Sequence, residues 1–369
     1  METLAITNHI LWQITKNPNM SNYQYDIVGS AHRLFPMEIY FGYFTLEDES
    51  LVEIPKQYPF CGEWGNCEVH TISLRDMLPL LSHLDIVYLS VVENKFYELS
   101  LPVNPSAIEK LFSTFALNLP EKDFVSIVVG MAPYGGIALW LGSNAKQMLL
   151  GWITTTRTEV NMSLFLPQNP QMNLSDYCKS YIDNDMVVKS NLSVYGLPPC
   201  SLFDNYMKQY TYRYLMLFEH WDKDQEKWKI FNDEEIIPEF DYIEEALFDG
   251  THDKLHDGGL MNYHQAGKPK KLAIKWHIKK SEFMSYFWFE DEEIRAIFDR
   301  FYGAHPETKT DFMIRIDAEQ NKYELALYRY GLKEPQIISE TAYQLLVFKN
   351  KFEYFRSENY NQPKGAWIW

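Results

Sequence analysis

The segment THDKLHDGGLMNYH (251–264) places three histidines and two aspartates within fourteen residues. On a helix, His252 and His256 would lie one above the other and could chelate a divalent metal, with Asp253, Asp257 or His264 completing the shell. Such a site would serve a metal-dependent hydrolase using His252, His256 and Asp257. Gly250 and Gly258-Gly259 bracket the stretch, however, and a polar loop is the plainer expectation.

Two other stretches invite a chemical reading. NDEEIIPEFDYIEEALFDG (232–250) offers Asp233-Glu234-Glu235 and Glu244-Glu245, from which the acid and base of a glycosidase could be drawn. Consecutive acids are more commonly a solvated face. FVSIVVGMAPYGGIALWLG (124–142) has the glycines of a phosphate loop, but such a loop needs Lys-Ser/Thr after them and then a helix. Here IALWLG follows and alternates like a strand, and Pro133-Tyr134 ahead of Gly135-Gly136 suits a tight turn. A hairpin turn is expected. No G-x-S-x-G elbow and no Cys–His spacing supports nucleophilic catalysis.

Charge is concentrated. Between Glu219 and Asp257 stand fourteen Asp/Glu and four Lys, well over half of the chain's net −16. Trp221, Trp228, Phe231, Tyr242 and Phe248 are interleaved with them. Aromatic anchors in an acidic rim fit a surface for a basic protein partner, although the same residues could divide into an aromatic core and a solvated exterior. The candidate contacts are Trp221, Trp228, Asp233, Glu234, Glu235, Glu244 and Glu245, with Trp64 in GEWGN as a second anchor.

Composition bounds the alternatives. With 50 acidic against 34 basic residues the chain lacks the cation excess that nucleic-acid binding requires. Cys61, Cys67, Cys178 and Cys200 are too few and scattered for a disulfide scaffold, and no second pair stands at zinc spacing. No stretch approaches the length of a membrane-spanning helix, and METLAITNHILWQITKNP has neither a basic start nor a cleavage site. A cytoplasmic protein without cofactor is expected.

The elements that must position these residues repeat. LDIVYLSV (from Leu84) matches LAIKWHIK (from Leu272) at a spacing of 188, and AIEKLFSTF (107–115) matches EIRAIFDRF (293–301) at 186. In the latter, Ile108, Leu111, Phe112 and Phe115 correspond to Ile294, Ile297, Phe298 and Phe301, the apolar stripe of a helix. PEKDF (120–124) aligns with PETKTDF (306–312), and IALW (137–140) with LALY (325–328). The chain therefore reads as two related domains, 1–200 and 201–369. Each opens on a strand (MEIYFGYFTL in the first, YLMLFEHW in the second). A hairpin follows, turning near Glu93-Asn94 or Lys280-Ser281, then a helix and a second hairpin. This is an α+β class, each domain a mostly antiparallel sheet of hairpins with a covering helix. The second adds a helix over TAYQLLVFKNKFEYF (341–355) and the aromatic tail GAWIW.

VVGMAPYGGIALWLG resembles the signature of a bacterial family catalogued as domain of unknown function 2931. Val194-Tyr195-Gly196-Leu197-Pro198 and Pro363-Lys364-Gly365-Ala366-Trp367 are similar to the family's short ending. The resemblance implies no catalytic residues. It implies lipoprotein-like relatives, some beside lipase-type toxins of contact-dependent secretion systems (type VI secretion among them), and hence an immunity role. This chain departs from that pattern in having no lipoprotein signal. The leading expectation is a non-enzymatic immunity-type inhibitor that occludes a basic toxin. The metal-dependent hydrolase and a small-ligand or structural binding module are the alternatives.

Overall fold

The computed structural model describes residues 23–56, 62–65, 77–116, 125–230, 238–256, 262–303, 308–317, 322–329, 335–339, 341–349 and 353–356. The chain divides into two compact units, Met1–Asp204 (unit 1) and Asn205–Ile368 (unit 2).

Unit 1 is built from β1 (Tyr23–Ala31), β2 (Met37–Leu46), β3 (Leu51–Glu53), β4 (Met77–Leu78), β5 (Leu81–Ser90) and β6 (Lys95–Pro102). Helix α1 (Pro105–Ala116) and strands β7 (Val125–Ala132), β8 (Gly136–Gly142), β9 (Gln147–Thr154) and β10 (Thr156–Thr158) follow. One sheet runs β4-β1-β7-β8-β9 and the other β10-β6-β5-β2-β3. The inner faces meet where the Tyr88 hydroxyl donates to the carbonyls of Ala132 (3.1 Å) and Gly136 (3.2 Å). α1 buries Ile108, Phe112 and Phe115 of its predicted stripe and half-buries Leu111, with Phe112 against Tyr23 and Tyr25 of β1. Helices α2 (Met162–Phe165), α3 (Leu174–Asn184) and α4 (Met186–Tyr195) come next, and a short α5 (Leu202–Tyr206) carries the sequence into unit 2. Tyr177, Tyr181 and Ile182 of α3, with Phe165, cover Val87, Leu89, Val91 and Phe96 on the outer face of the second sheet.

The glycine–proline knot is the β7–β8 turn, as expected. Tyr134 (φ 62°) and Gly135 (φ 81°) both adopt left-handed backbone. Glu93 secures it, accepting the Tyr134 amide at 2.7 Å and the Tyr97 hydroxyl at 2.8 Å. The flanking glycines make room for indoles: a Cβ on Gly130 would lie 2.3 Å from Trp140, and one on Gly136 would lie 1.9 Å from Trp152. The signature is thus a packing device, with Trp64 edge-on to Trp140 and Phe203 beside it.

Unit 2 contains β11 (Tyr210–Asp222), β12 (Lys227–Ile230), β13 (Glu239–Leu247), β14 (His252–His256), β15 (His264–Ala266), β16 (Pro269–Ile278) and β17 (Ser281–Phe289). After α6 (Asp291–Gly303) come β18 (Thr310–Asp317), β19 (Lys322–Tyr328), β20 (Gln336–Ile338), β21 (Thr341–Lys349) and β22 (Glu353–Arg356). The sheets run β22-β21-β17-β16-β13-β14 and β12-β11-β18-β19-β20, with β15 beside β11. Their inner faces pack Trp276 on Phe218 (4.6 Å), Phe289 on Phe312 (5.8 Å) and Tyr343 on Tyr323 (4.5 Å).

The two units share one pairing scheme. β1 lies parallel to β7 and antiparallel to β4, as β11 does to β18 and β15. β2 pairs β5 with bulges after Ile39 and Thr45, and β13 pairs β16 with bulges after Phe240 and Ala246. The turn Leu46–Ser50 repeats as Leu247–Thr251: Asp48 accepts from the amide and hydroxyl of Ser50, Asp249 from those of Thr251. Tyr25 donates to the Pro79 carbonyl and packs on Phe112, while Tyr212 donates to Gly267 and packs on Phe298.

Three expectations are corrected. The class is mostly β rather than α+β with covering helices: among the described residues strand takes 54% and helix 21%, so each unit is two sheets with helix as a minor part. The segment expected as a helix over 341–355 is strand at its described residues, 341–349 and 353–355. β21 pairs with β17 over nine residues, from Thr341↔Phe289 to Lys349↔Ser281, where the β17 edge supplies a backbone ladder and Ala342, Tyr343 and Leu345 are buried. Finally, MEIYFGYFTL is β2, whose counterpart is β13; YLMLFEHW belongs to β11, the counterpart of β1. The tail GAWIW and PEKDF (120–124) lie outside the described residues.

Candidate functional site

β17 alternates strictly. Phe283, Phe287 and Phe289 turn inward, leaving Glu282, Met284, Tyr286 and Trp288 half-buried on the outer face. Pairing sets Lys275 beside Met284 and Lys271 beside Trp288, and on the other flank Tyr242 beside Lys275. Tyr286 and Trp288 stack at 5.7 Å. The Lys271 ammonium lies 5.7 Å and 5.9 Å from their ring centres, and Lys254 lies 3.5 Å from that of Tyr242. An outward row of aromatics with lysines over their faces results.

At one end this face sinks into a cleft of about 560 Å³. Asp241 is the extra residue of the bulge between Phe240 and Tyr242, and the local kink aims it at the same opening as Tyr242. His277 Nδ1 lies 3.2 Å from Asp241 Oδ1, and its Nε2 lies 3.2 Å from Glu239 Oε2. Lys275 pairs with Glu282 at 3.4 Å. Lys279, with φ of 54°, and Lys280 form the two-residue turn at the rim, and among the described residues neither has an ion-pair partner. The cleft can hold an anionic group on its lysines, beside an imidazole bracketed by carboxylates.

The residues expected from sequence are not gathered here. Trp221 and Trp228 are a cross-strand pair on β11 and β12 of the other sheet, 5.3 Å apart, with Lys322 over the first and Arg315 over the second. Glu244 is exposed and paired with Lys254, whereas Glu245 is buried and accepts from Tyr214 at 2.6 Å. Trp64 is only 8% exposed and sits in the unit 1 core. Asp233, Glu234, Glu235 and Asp257 lie outside the described residues, as do Cys61 and Cys67. His252 and His256 are on a strand, not a helix. Residues four apart on a strand stand ~13 Å apart at ~3.3 Å per residue, too far for one metal. Among the described residues no cluster of three or more His, Cys, Asp or Glu side chains could hold a metal ion.

The described acids of the stretch are largely paired internally. Glu219 pairs with Arg315, Asp222 with Lys229, Glu239 and Asp241 with His277, and Asp249 accepts from Gln209 and Thr251. The cleft's lysines come from 275–280, a stretch that sequence reasoning passed over. Its visible signal was the change from VYL (87–89) to KWH (275–277) at outward positions of matched strands.

A second titratable group lies deeper. Lys268 is fully buried and donates to the Asn205 carbonyl, with the Tyr210 ring centre 5.1 Å away. Burial pushes its amine down to about 7, against the pull of Asp299, Asp249 and Asp291. The fully buried Asp249 carboxyl is raised, chiefly by burial.

Among the described residues no helix is long and apolar enough to cross a membrane. No curated protein and no solved structure matches the chain. Residues 15–188 match the model of the family described as protein of unknown function, DUF2931.

Proposed function

We propose that the chain is a tandem duplication of one unit, and that it acts as a non-enzymatic protein-binding protein whose partner sits on the outer face of the β13-β16-β17 sheet. The shared pairing scheme, down to two bulges and one Asp-closed turn, supports the duplication. One observation carries the binding reading: Tyr242, Met284, Tyr286 and Trp288 form an outward row that, among the described residues, lysines overlie instead of a second layer of core. Aromatic residues and methionine are enriched at protein interfaces, and rigid aromatics dominate their binding energy.

The concrete form of this reading is an immunity-type inhibitor that covers a toxin, as the resemblance of the signature implies. Lys279 and Lys280, which have no ion-pair partner among the described residues, rather than the described acids of 219–257, most of which are paired internally, supply the charged contact, so the toxin meets it with acidic groups. The test is affinity capture from the organism carrying the gene, followed by calorimetry with the protein recovered. An equimolar complex weakened at least tenfold by Tyr286→Ala with Trp288→Ala supports the reading. No retained protein at low salt, where charged contacts are strongest, removes it.

A further inference from the structure

Comparison of the two units shows what the cleft is shaped to receive. In unit 1 the positions corresponding to Asp241, Lys275, His277 and Glu282 are Tyr40, Val87, Leu89 and Phe96, by register on both sides of the same bulge. All four belong to the layer that α2 and α3 cover: Phe165 packs on Tyr40 (5.9 Å) and Phe96 (5.1 Å), and Tyr177, Tyr181 and Ile182 of α3 pack beside them. Glu38, the counterpart of Glu239, accepts the Tyr177 hydroxyl at 2.5 Å. The outer face of β2-β5-β6 is therefore a helix seat, filled from the same chain.

In unit 2 the same seat is open among the described residues and is the cleft itself. Its floor is charged where that of unit 1 is apolar, and Glu239, with a side chain 72% exposed, has only His277 as a described partner. We infer that this seat takes an acidic helix from a protein partner, laid across β13, β16 and β17 as α3 is laid across β2, β5 and β6. Acidic side chains of that helix meet Lys279 and Lys280 at the rim and Lys275 in the floor. Its apolar edge meets Tyr242 and Met284. This is helix-in-groove recognition with charge setting the choice of helix. The inference rests on the protein-binding reading above and names the partner's element.

Two experiments test it on the full chain. With the captured partner, Lys279→Glu combined with Lys280→Glu is expected to weaken affinity at least tenfold and to lessen its salt dependence. Lys56→Glu in unit 1 should change neither. A photo-crosslinking p-benzoylphenylalanine in place of Met284 is expected to join one acidic segment of the partner, and a synthetic peptide of that segment should gain helical circular dichroism when the protein is added. An adduct to residues 357–369 of the same chain, to a second copy, or to a basic or non-helical segment overturns the inference. So does unchanged affinity of the double variant. If a partner binds and these results fail, the helix seat falls while the protein-binding reading stands. If no partner is retained, the reading falls first and the inference with it.

Discussion

Lys268 stands in unit 2 where Leu80 stands in unit 1: the carbonyl of each accepts the amide of the residue just before the turn's Asp, Phe248 or Glu47, at 2.9 Å. Both side chains are buried, one apolar and one an amine surrounded by Asp249, Asp291, Asp299 and the Tyr210 ring. A buried amine at a position that accepts leucine is a cost to folding that the surrounding carboxylates only partly offset.

This sets a pH dependence. The amine is about 7 in the folded protein and about 10.4 in an unfolded chain. The unfolded state therefore binds more protons between these values, and this group's contribution to stability falls as pH drops from about 10.4 to 7. Lys268→Met should remove this pH-dependent penalty, so that its stability relative to the parent is greatest near pH 7 and the gap shifts toward the parent by roughly 3 kcal/mol at pH 10, at ~1.4 kcal/mol per pKa unit. Urea titrations at pH 7 and pH 10 check both the sign and the closing of the gap. Equal stabilities at the two pH values would show that Lys268 remains charged in the fold.

Gly136→Ala drives a methyl into the Trp152 ring and Gly130→Ala one into Trp140. Each should cost about 1–3 kcal/mol through overpacking. Trp152→Leu in the Gly136→Ala background should recover part of that loss, so the double variant is less destabilised than the sum of the singles. Additive losses would mean the ring moves aside freely.

Trp64→Ala should behave as a core deletion. The indole is in contact with Trp140, Trp152 and Phe203, so truncation is expected to cost about 3–5 kcal/mol. Denaturation midpoints check this, and a loss under 1 kcal/mol would put the ring in solvent.

Cys178 and Cys200 should differ in reactivity. Burial pushes the Cys178 thiol up to about 12, with Glu38 adding to it, whereas Cys200 is exposed. A thiol is attacked through its thiolate. Brief alkylation of native protein at pH 8, with peptide mapping, should label Cys200 and leave Cys178 until urea is added. Native labelling of Cys178 would mean that α3 lifts from its sheet.

Sequence alone determined the elements whose burial is local and periodic. The i, i+3, i+4, i+7 stripes fixed α1 and α6, alternation fixed β5, β16 and β17, and proline with glycines fixed the β7–β8 turn. The internal matches marked corresponding strands because the same inward positions stay apolar in both units. Only the tertiary structure decided the rest. Whether TAYQLLVFK is helix or strand depends on the free edge of β17, which no local pattern reveals. Whether Glu244 and Glu245 share a surface depends on which side of β13 faces β11, and adjacent strand residues point apart. The cleft residues 239–242 and 275–282 are separated in sequence and meet through sheet register and one bulge. Their placement is a long-range pairing outcome, so local chemistry could name Asp241 and His277 but could not bring them together.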